Sequence, residues 1–273
     1  MTDTALEGVL RRDRAIGVVA LILVTLLAWA YVLWLADDMA MGGMDMTGFR
    51  MIPAGAGLMM PASEPWQPIE FIFVFAMWAV MMIGMMTPSS APMILLYARV
   101  GRQAASRGKT FADSGWFMGG YLLAWTTFSL VATCAQWALE RAALLTPMME
   151  GASPVLGGVI LISVGAYQFT KLKDACLRQC QAPFLFIQQH GGFRPDALGS
   201  LELGARHGAY CVACCWALMA LLLVGGVMNV LWISAISILI LVEKIASAGR
   251  MISRIAGAGF ITAGAWLLAT ALR

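Results

Sequence analysis

Long apolar runs recur along the whole chain, separated by short polar segments. The runs fall at seven places, roughly 15–35, 67–86, 115–138, 154–172, 207–228, 230–247 and 252–271. A helix needs about 20 apolar residues in sequence to cross the hydrocarbon core of a bilayer. The pattern predicts an all-α protein, a polytopic transmembrane helical bundle of about seven spans, with 1–273 as a single transmembrane domain. A count of six applies if one run only dips into the membrane.

Basic residues are distributed unevenly between the segments that join these runs. They cluster before the first run and in alternate loops, including 173–206, whereas the opposite loops 36–66 and 139–153 hold only Arg50 and Arg141. Because Lys and Arg are retained on the cytoplasmic side of a membrane, the alternation predicts a cytoplasmic N-terminus and a C-terminus outside. It makes 36–66 a Met-rich outer loop with little regular structure and 173–206 a cytoplasmic loop, in a protein of the bacterial inner (cytoplasmic) membrane.

The composition agrees with a membrane protein and excludes two other classes. Hydrophobic residues make up 60% of the chain and charged residues 12%, against about 25% charged residues in a typical soluble domain. That leaves too little polar surface for a water-soluble body. The net charge of +3 is spread over short loops, so the expected partner is the lipid bilayer and not nucleic acid.

Two places interrupt the apolar runs with residues that fit poorly in a membrane. Pro88 and Pro92 follow the second run, and each removes a hydrogen bond from a helix. We interpret them as the end of that helix, with a bend that lines a substrate path as the alternative. Glu243 and Lys244 lie near the end of the sixth run, where an ionisable residue is by default a functional candidate, although snorkelling or local pairing would also explain them.

Cysteine and histidine are concentrated in one part of the chain. Five of the six cysteines and both histidines fall between residues 176 and 215. Residues three or four apart share one face of a helix. The spacing therefore predicts a stripe on one helix and a second pair on a neighbouring segment: His207, Cys211, Cys214 and Cys215 on the first, and Cys176 and Cys180 on the second.

The chemistry of this cluster favours a metal site at the cytoplasmic face. Thiolate and imidazole together suit soft or borderline ions such as Cu(I) and Zn(II). We predict copper, as Cu(I), with zinc as the second choice. A structural disulfide is the weaker explanation because cytoplasmic thiols are kept reduced. Cysteine is also a small apolar filler in helices, which is our interpretation of Cys134.

Methionine gives a second signal in a chain that contains 20 of them. Met44 and Met46 stand in the predicted outer loop, and Met77, Met81 and Met85 form one stripe along the second run. Thioether sulfur is a soft, neutral ligand that prefers Cu(I). We predict Met44, Met46, Met81 and Met85 as further metal ligands, although methionine is also a flexible packing residue in helices.

Three segments carry motifs that can be compared with known families. They run from Trp78 to Pro92 (WAVMMIGMMTPSSAP), from Tyr167 to Cys180 (YQFTKLKDACLRQC), and from His207 to Lys244 with the motifs YC-x2-CCW, GGVMN and EK. Together they resemble the bacterial family of predicted metal-binding integral membrane proteins, a domain of unknown function. The resemblance implies metal binding without naming the metal or a reaction, and it points to Cys176, Cys180, Cys211, Cys214 and Cys215.

Three functions from different classes follow from these features. The first is an integral membrane protein that handles Cu(I) in transport, delivery or metalloenzyme assembly. The second is a membrane thiol oxidoreductase that uses Cys211 and Cys214, whose spacing is that of redox dithiols. The third is an accessory subunit of a larger membrane complex, so the candidate partners are a metal ion, a complex partner or a metallochaperone.

The sequence favours a binding or transport role over an enzyme. It contains no recognisable nucleotide-binding loop, no serine triad and no carboxylate pair placed for acid–base chemistry. No catalytic residue and no cofactor-binding residue is therefore predicted.

Overall fold

The computed structural model describes residues 3–40, 49–55, 58–61, 64–108, 112–146, 149 and 151–272, and most of these residues are helical. The helices are α1 (Asp3–Ala40), α2 (Pro68–Ala105), α3 (Ser114–Arg141), α4 (Pro154–Tyr167), α5 (Lys171–Gln181), α6 (Pro183–Gln189), α7 (Ala197–Ala220), α8 (Leu222–Gly225), α9 (Val230–Ile245) and α10 (Gly249–Ala271). The strands β1 (Phe49–Met51) and β2 (Met59–Pro61) form one antiparallel pair. The prediction of an all-α protein is confirmed.

Several of these helices are long and apolar enough to cross a bilayer. Within the described residues there are five such segments, Gly17–Met39, Pro68–Ala104, Ser114–Arg141, Ala197–Gly225 and Gly249–Ala271. A sixth is obtained if α4 and α5, bent by 65° at their junction, count as one span. The prediction of seven spans is not supported, because α9 has only 16 residues and rises about 24 Å, short of a hydrocarbon core of about 30 Å. The predicted orientation of the termini has no support from the fold and stays a prediction.

Helix α2 continues through both of its prolines. It runs from Pro68 to Ala105 with Pro88 and Pro92 inside it, so the predicted helix end at these prolines is wrong. Proline lacks an N–H group, and the carbonyl four residues earlier loses its helical partner. For Pro88 that carbonyl belongs to Gly84, and the indole Nε1 of Trp29 donates to it at 3.2 Å. A side chain of α1 thus replaces the missing donor.

The segment 36–66 is more regular than predicted where the structure describes it. Helix α1 extends to Ala40, and β1 pairs with β2 in the register Phe49↔Pro61 to Met51↔Met59. The candidate ligands Met44 and Met46 lie outside the described residues. The prediction of little regular structure is therefore wrong for the described part of this loop.

A polar network fastens this hairpin to the helices; we call β1, β2 and the first turn of α2 the hairpin end. The Arg50 guanidinium donates from Nε and Nη2 to the two carboxylate oxygens of Glu70, both at 2.9 Å. Nearby, Trp66 donates to Glu140 at 2.9 Å, and Gln136 donates to the same carboxylate at 3.0 Å. These contacts tie the start of α2 to the end of α3.

Glycines allow α3 and α7 to approach closely. A Cβ atom on Gly204 would lie 2.0 Å from the Phe117 carbonyl oxygen, and one on Gly120 would lie 1.9 Å from the Leu201 carbonyl oxygen. Small residues at such crossings let helix backbones meet directly. The close packing brings α7, whose buried face carries the cysteines, directly against α3.

Candidate metal centre

Helix α7 brings three cysteines into the protein interior. Asp196 caps its N-terminus, accepting from the backbone N–H of Gly199 at 2.6 Å. Cys211, Cys214 and Cys215 are only 2%, 1% and 1% exposed. The predicted helical stripe of cysteines is therefore present and faces inward.

Helix α5 carries the second pair of cysteines to the same place. Thr170 caps α5, and the bend after α4 turns it back towards α7. Cys176 is buried in the same core cluster as the α7 cysteines, and the half-buried Cys180 has its Sγ 3.9 Å from Sγ of Cys214. Two stretches that are far apart in sequence thus meet through their thiols.

The sulfur atoms form a continuous row; we call Cys180, Cys214, Cys215 and Met86 the sulfur row. After the Cys180–Cys214 contact come Cys214 Sγ to Cys215 Sγ at 3.7 Å and Cys215 Sγ to Met86 Sδ at 4.0 Å. A metal–thiolate bond of about 2.3 Å lets two sulfurs on one ion lie up to about 4.6 Å apart. Each neighbouring pair in the row is thus close enough to share an ion. All six cysteines are free thiols.

Cys211 belongs to the cluster but faces a cation. Its carbonyl oxygen accepts hydrogen bonds from the Cys214 and Cys215 thiols at 3.2 and 2.7 Å. Lys244 Nζ lies 2.8 Å from its Sγ and also donates to Ser89 Oγ at 3.2 Å. The Tyr121 hydroxyl lies 3.3 Å from the same sulfur. The Cys211 sulfur therefore sits in a polar setting made by α2, α3 and α9.

A buried ion pair supports this arrangement from α5. Lys173 Nζ donates to Glu243 Oε2 and to the Cys214 carbonyl, both at 2.7 Å, and both charged side chains are 1% exposed. Gln181 Nε2 also donates to the Glu243 carbonyl at 2.8 Å. These bonds link α5, α7 and α9 around the thiols. We call the thiols together with Lys173, Glu243 and Lys244 the cysteine end.

His207 occupies a different setting from the one predicted. It is buried among aromatic rings, with centroids 5.0 Å from Phe186 and 6.0 Å from Phe117 and Tyr121. Its Nδ1 atom is buried without a hydrogen-bond partner. As the side chains stand, the described chain contains no group of three or more Cys, His, Asp or Glu arranged to hold a metal ion. The candidate site therefore consists of the cysteines, and His207 is packed among aromatic rings.

The structure also identifies residues that sequence reasoning missed. Met81 and Met85 are buried in the apolar core, but the α2 thioether that contacts a thiol is Met86. Lys173 and Tyr121 were not predicted to contribute, although Lys173 lies inside the motif YQFTKLKDACLRQC. The EK motif did signal Glu243 and Lys244, and both side chains reach this region.

One protein family matches most of the chain. Its sequence model covers residues 75–267, and its description is copper chaperone PpoB2. The chain belongs to this copper chaperone family. The match includes α3 to α9 and every cysteine, and it leaves out α1 and the hairpin. It is consistent with the resemblance to metal-binding membrane proteins, and it supports copper while giving no support to zinc.

No curated protein and no solved structure matches the chain. The copper chaperone family match and the geometry of the thiols are thus the two observations that bear on function. They agree in chemistry, because thiols and thioethers are ligands that select Cu(I).

Proposed function

We propose that this protein of the copper chaperone family binds Cu(I) as its cargo at the sulfur row, within a bacterial inner membrane. The observation that carries the proposal is the contact between Cys180 on α5 and Cys214 on α7 at 3.9 Å. Two thiols separated by 34 residues in the chain face each other in the interior. A purely packing role for these cysteines does not require their sulfurs to meet.

The donor set favours Cu(I) over other ions. Soft thiolate and thioether ligands select Cu(I), and the sulfur row contains both, with Met86 at one end. Zinc in structural sites takes a closed tetrahedral set of Cys, His or carboxylate ligands. Thioether sulfur is not in that set, and His207 is packed among rings. We therefore assign Cys180, Cys214 and Cys215 as the main ligands, with Cys176 and Cys211 as neighbouring thiols.

Methionines extend the sulfur chemistry beyond the cysteines. Met77, Met81 and Met85 of α2 are buried in the same core as the thiols, together with Met51 from β1. We propose that these thioethers form the route by which Cu(I) moves between the hairpin end and the cysteine end. Delivery to a further metallochaperone or metalloenzyme then takes place from Cys180, which is the half-buried member of the row.

The experiment that tests the proposal is elemental analysis of protein purified in detergent under reducing conditions and loaded with Cu(I). The wild type is expected to hold copper stoichiometrically, and a Cys180→Ala, Cys214→Ala double variant is expected to lose it. Cys134→Ala is the matched control, because Cys134 is exposed on α3 and does not belong to the core cluster in which the other cysteines pack. Copper retained by the double variant at the wild-type level would refute the site.

A further inference from the structure

Lys244 places one buried positive charge directly against the thiol of Cys211. It lies near the end of α9 and is 6% exposed. Its Nζ atom is 2.8 Å from Cys211 Sγ, and its other hydrogen-bond contact is the neutral hydroxyl of Ser89 at 3.2 Å. The ammonium group therefore points into the candidate site and not towards water.

Among the residues whose side chains the structure describes, no carboxylate forms an ion pair with Lys244. Its strongest electrostatic interactions are with four thiols, on Cys211, Cys215, Cys214 and Cys180. Tyr121 and His207 also interact with it. The neighbouring carboxylate, Glu243, is already paired with Lys173 at 2.7 Å. The charges of Lys173 and Glu243 cancel each other. Within the part of the chain that the structure describes, Lys244 therefore leaves one positive charge, which faces the sulfur of Cys211.

This positive charge determines which metal–thiolate group is neutral in the interior. Thiols bind a metal as thiolates, so two thiolates with a monovalent ion carry one negative charge, which Lys244 cancels. Two thiolates with a divalent ion are already neutral, and Lys244 would then leave an uncompensated positive charge. Uncompensated buried charges are strongly unfavourable. The remaining thiols and Met86 can contribute as neutral donors.

We infer that Lys244 is a specificity-determining residue, whose fixed charge beside Cys211 makes the sulfur row select a monovalent soft ion over a divalent one. The inference rests on the proposed function, since it concerns the same thiols. It adds a reason for the choice of ion that ligand softness alone does not supply, because thiolates also bind divalent ions such as Zn(II).

The test measures the affinities of Ag(I), a redox-stable analogue of Cu(I), and Cd(II) for the purified full chain. For Lys244→Met, we expect the ratio of Ag(I) to Cd(II) affinity to fall at least about tenfold, because one compensating charge is lost. Lys244→Gln, which keeps a polar head for Ser89, should change the ratio in the same direction. Lys171→Met removes the same charge from an exposed position on α5 and should leave the ratio unchanged.

The two proposals fail in different ways. A wild type that binds neither ion overturns both the proposed function and the role of Lys244. A wild type that binds Ag(I) through Cys180 and Cys214, with an unchanged ratio in both Lys244 variants, overturns the charge inference alone. An equal loss of both ions in the Lys244 variants also overturns it, because Lys244 would then hold the thiols without selecting between charges.

Discussion

The hairpin end and the cysteine end both bury charged side chains, but the partners of these side chains differ. At the hairpin end, Arg50 meets both oxygens of Glu70 and also donates to the carbonyls of Pro61 and Glu64, at 3.3 and 2.8 Å. At the cysteine end, Lys173 and Glu243 are similarly matched, but Lys244 faces a sulfur and the sulfurs face one another.

This contrast separates a structural network from a candidate binding site. Oxygen acceptors on Pro61, Glu64 and Glu70 satisfy Arg50, so the network is complete without a ligand. At the cysteine end, Lys244 contacts the single thiol of Cys211, and thiols are weak hydrogen-bond partners. The sulfur atoms there can therefore still act as ligands to a soft ion. The family match begins at residue 75, so it leaves out Arg50 and Glu70 and includes the whole cysteine end.

The largest effect is expected from breaking the ion pair at the cysteine end. Lys173→Met leaves Glu243 buried without its cation, which should lower the free energy of unfolding by about 3–5 kcal/mol. Copper binding should fall as well, because Lys173 also holds the Cys214 carbonyl. Denaturant titration in detergent and elemental analysis measure the two quantities. Full copper content in the folded variant would contradict a link between this pair and the sulfur row.

The corresponding change at the hairpin end should affect stability alone. Arg50→Met leaves Glu70 buried without its cation. We expect a loss of about 3 kcal/mol in the free energy of unfolding, with copper content per folded chain unchanged. Arg50 keeps 11% side-chain exposure, so the loss should be smaller than for Lys173. Reduced copper binding in a folded Arg50 variant would break the contrast between the two ends.

A third prediction tests whether helix packing, apart from charge, holds α7 in place. Gly204→Ala puts a methyl group against the Phe117 carbonyl and should cost about 1–3 kcal/mol through overpacking. The control is Gly119→Ala, where an added Cβ has no neighbour within 4 Å. Alanine there should be neutral or slightly stabilising, because it is the better helix former. Equal thermal stability of the two variants would argue against close α3–α7 packing.

The smallest effect is expected from exchanging single thioethers. Met86→Leu conserves volume and should cost less than about 1.5 kcal/mol, while weakening Cu(I) binding a few-fold by removing one soft donor. Met81→Leu is the matched comparison on the same helix and should weaken Cu(I) binding less. Competition with a Cu(I) chelator resolves such differences. If Met81→Leu has the greater effect, the sequence-based choice of ligands was the better one.

The overall fold was predictable from the sequence because it depends on local pattern. Long apolar runs predicted the helices, and three- and four-residue spacing predicted that Cys211 and Cys215 share a face. The number of membrane spans was harder to predict, because α9 follows α8 after a short turn and is too short to cross a bilayer alone. The hairpin was missed because strands of three residues leave almost no periodic signal.

The contacts within the site were harder to predict because they join distant segments. Periodicity placed Met81 and Met85 on one stripe, but which side of α2 meets α7 depends on how the two helices pack. Met86 is one residue away from that stripe, and it is the residue that contacts Cys215. The pairing of Lys173 with Glu243 spans 70 residues and likewise depends on the bend between α4 and α5.

The hydrogen bond from Trp29 to the Gly84 carbonyl means that α1 completes the backbone hydrogen bonding of α2. Residues 1–74 lie outside the family match, yet a tryptophan in that region supplies the donor that Pro88 cannot. The hydrocarbon core of a bilayer contains no water that could replace this hydrogen-bond donor. A shortened chain that starts after α1 would therefore keep every cysteine but leave the Gly84 carbonyl without a donor, one turn before Pro88 and two residues before Met86, which ends the sulfur row.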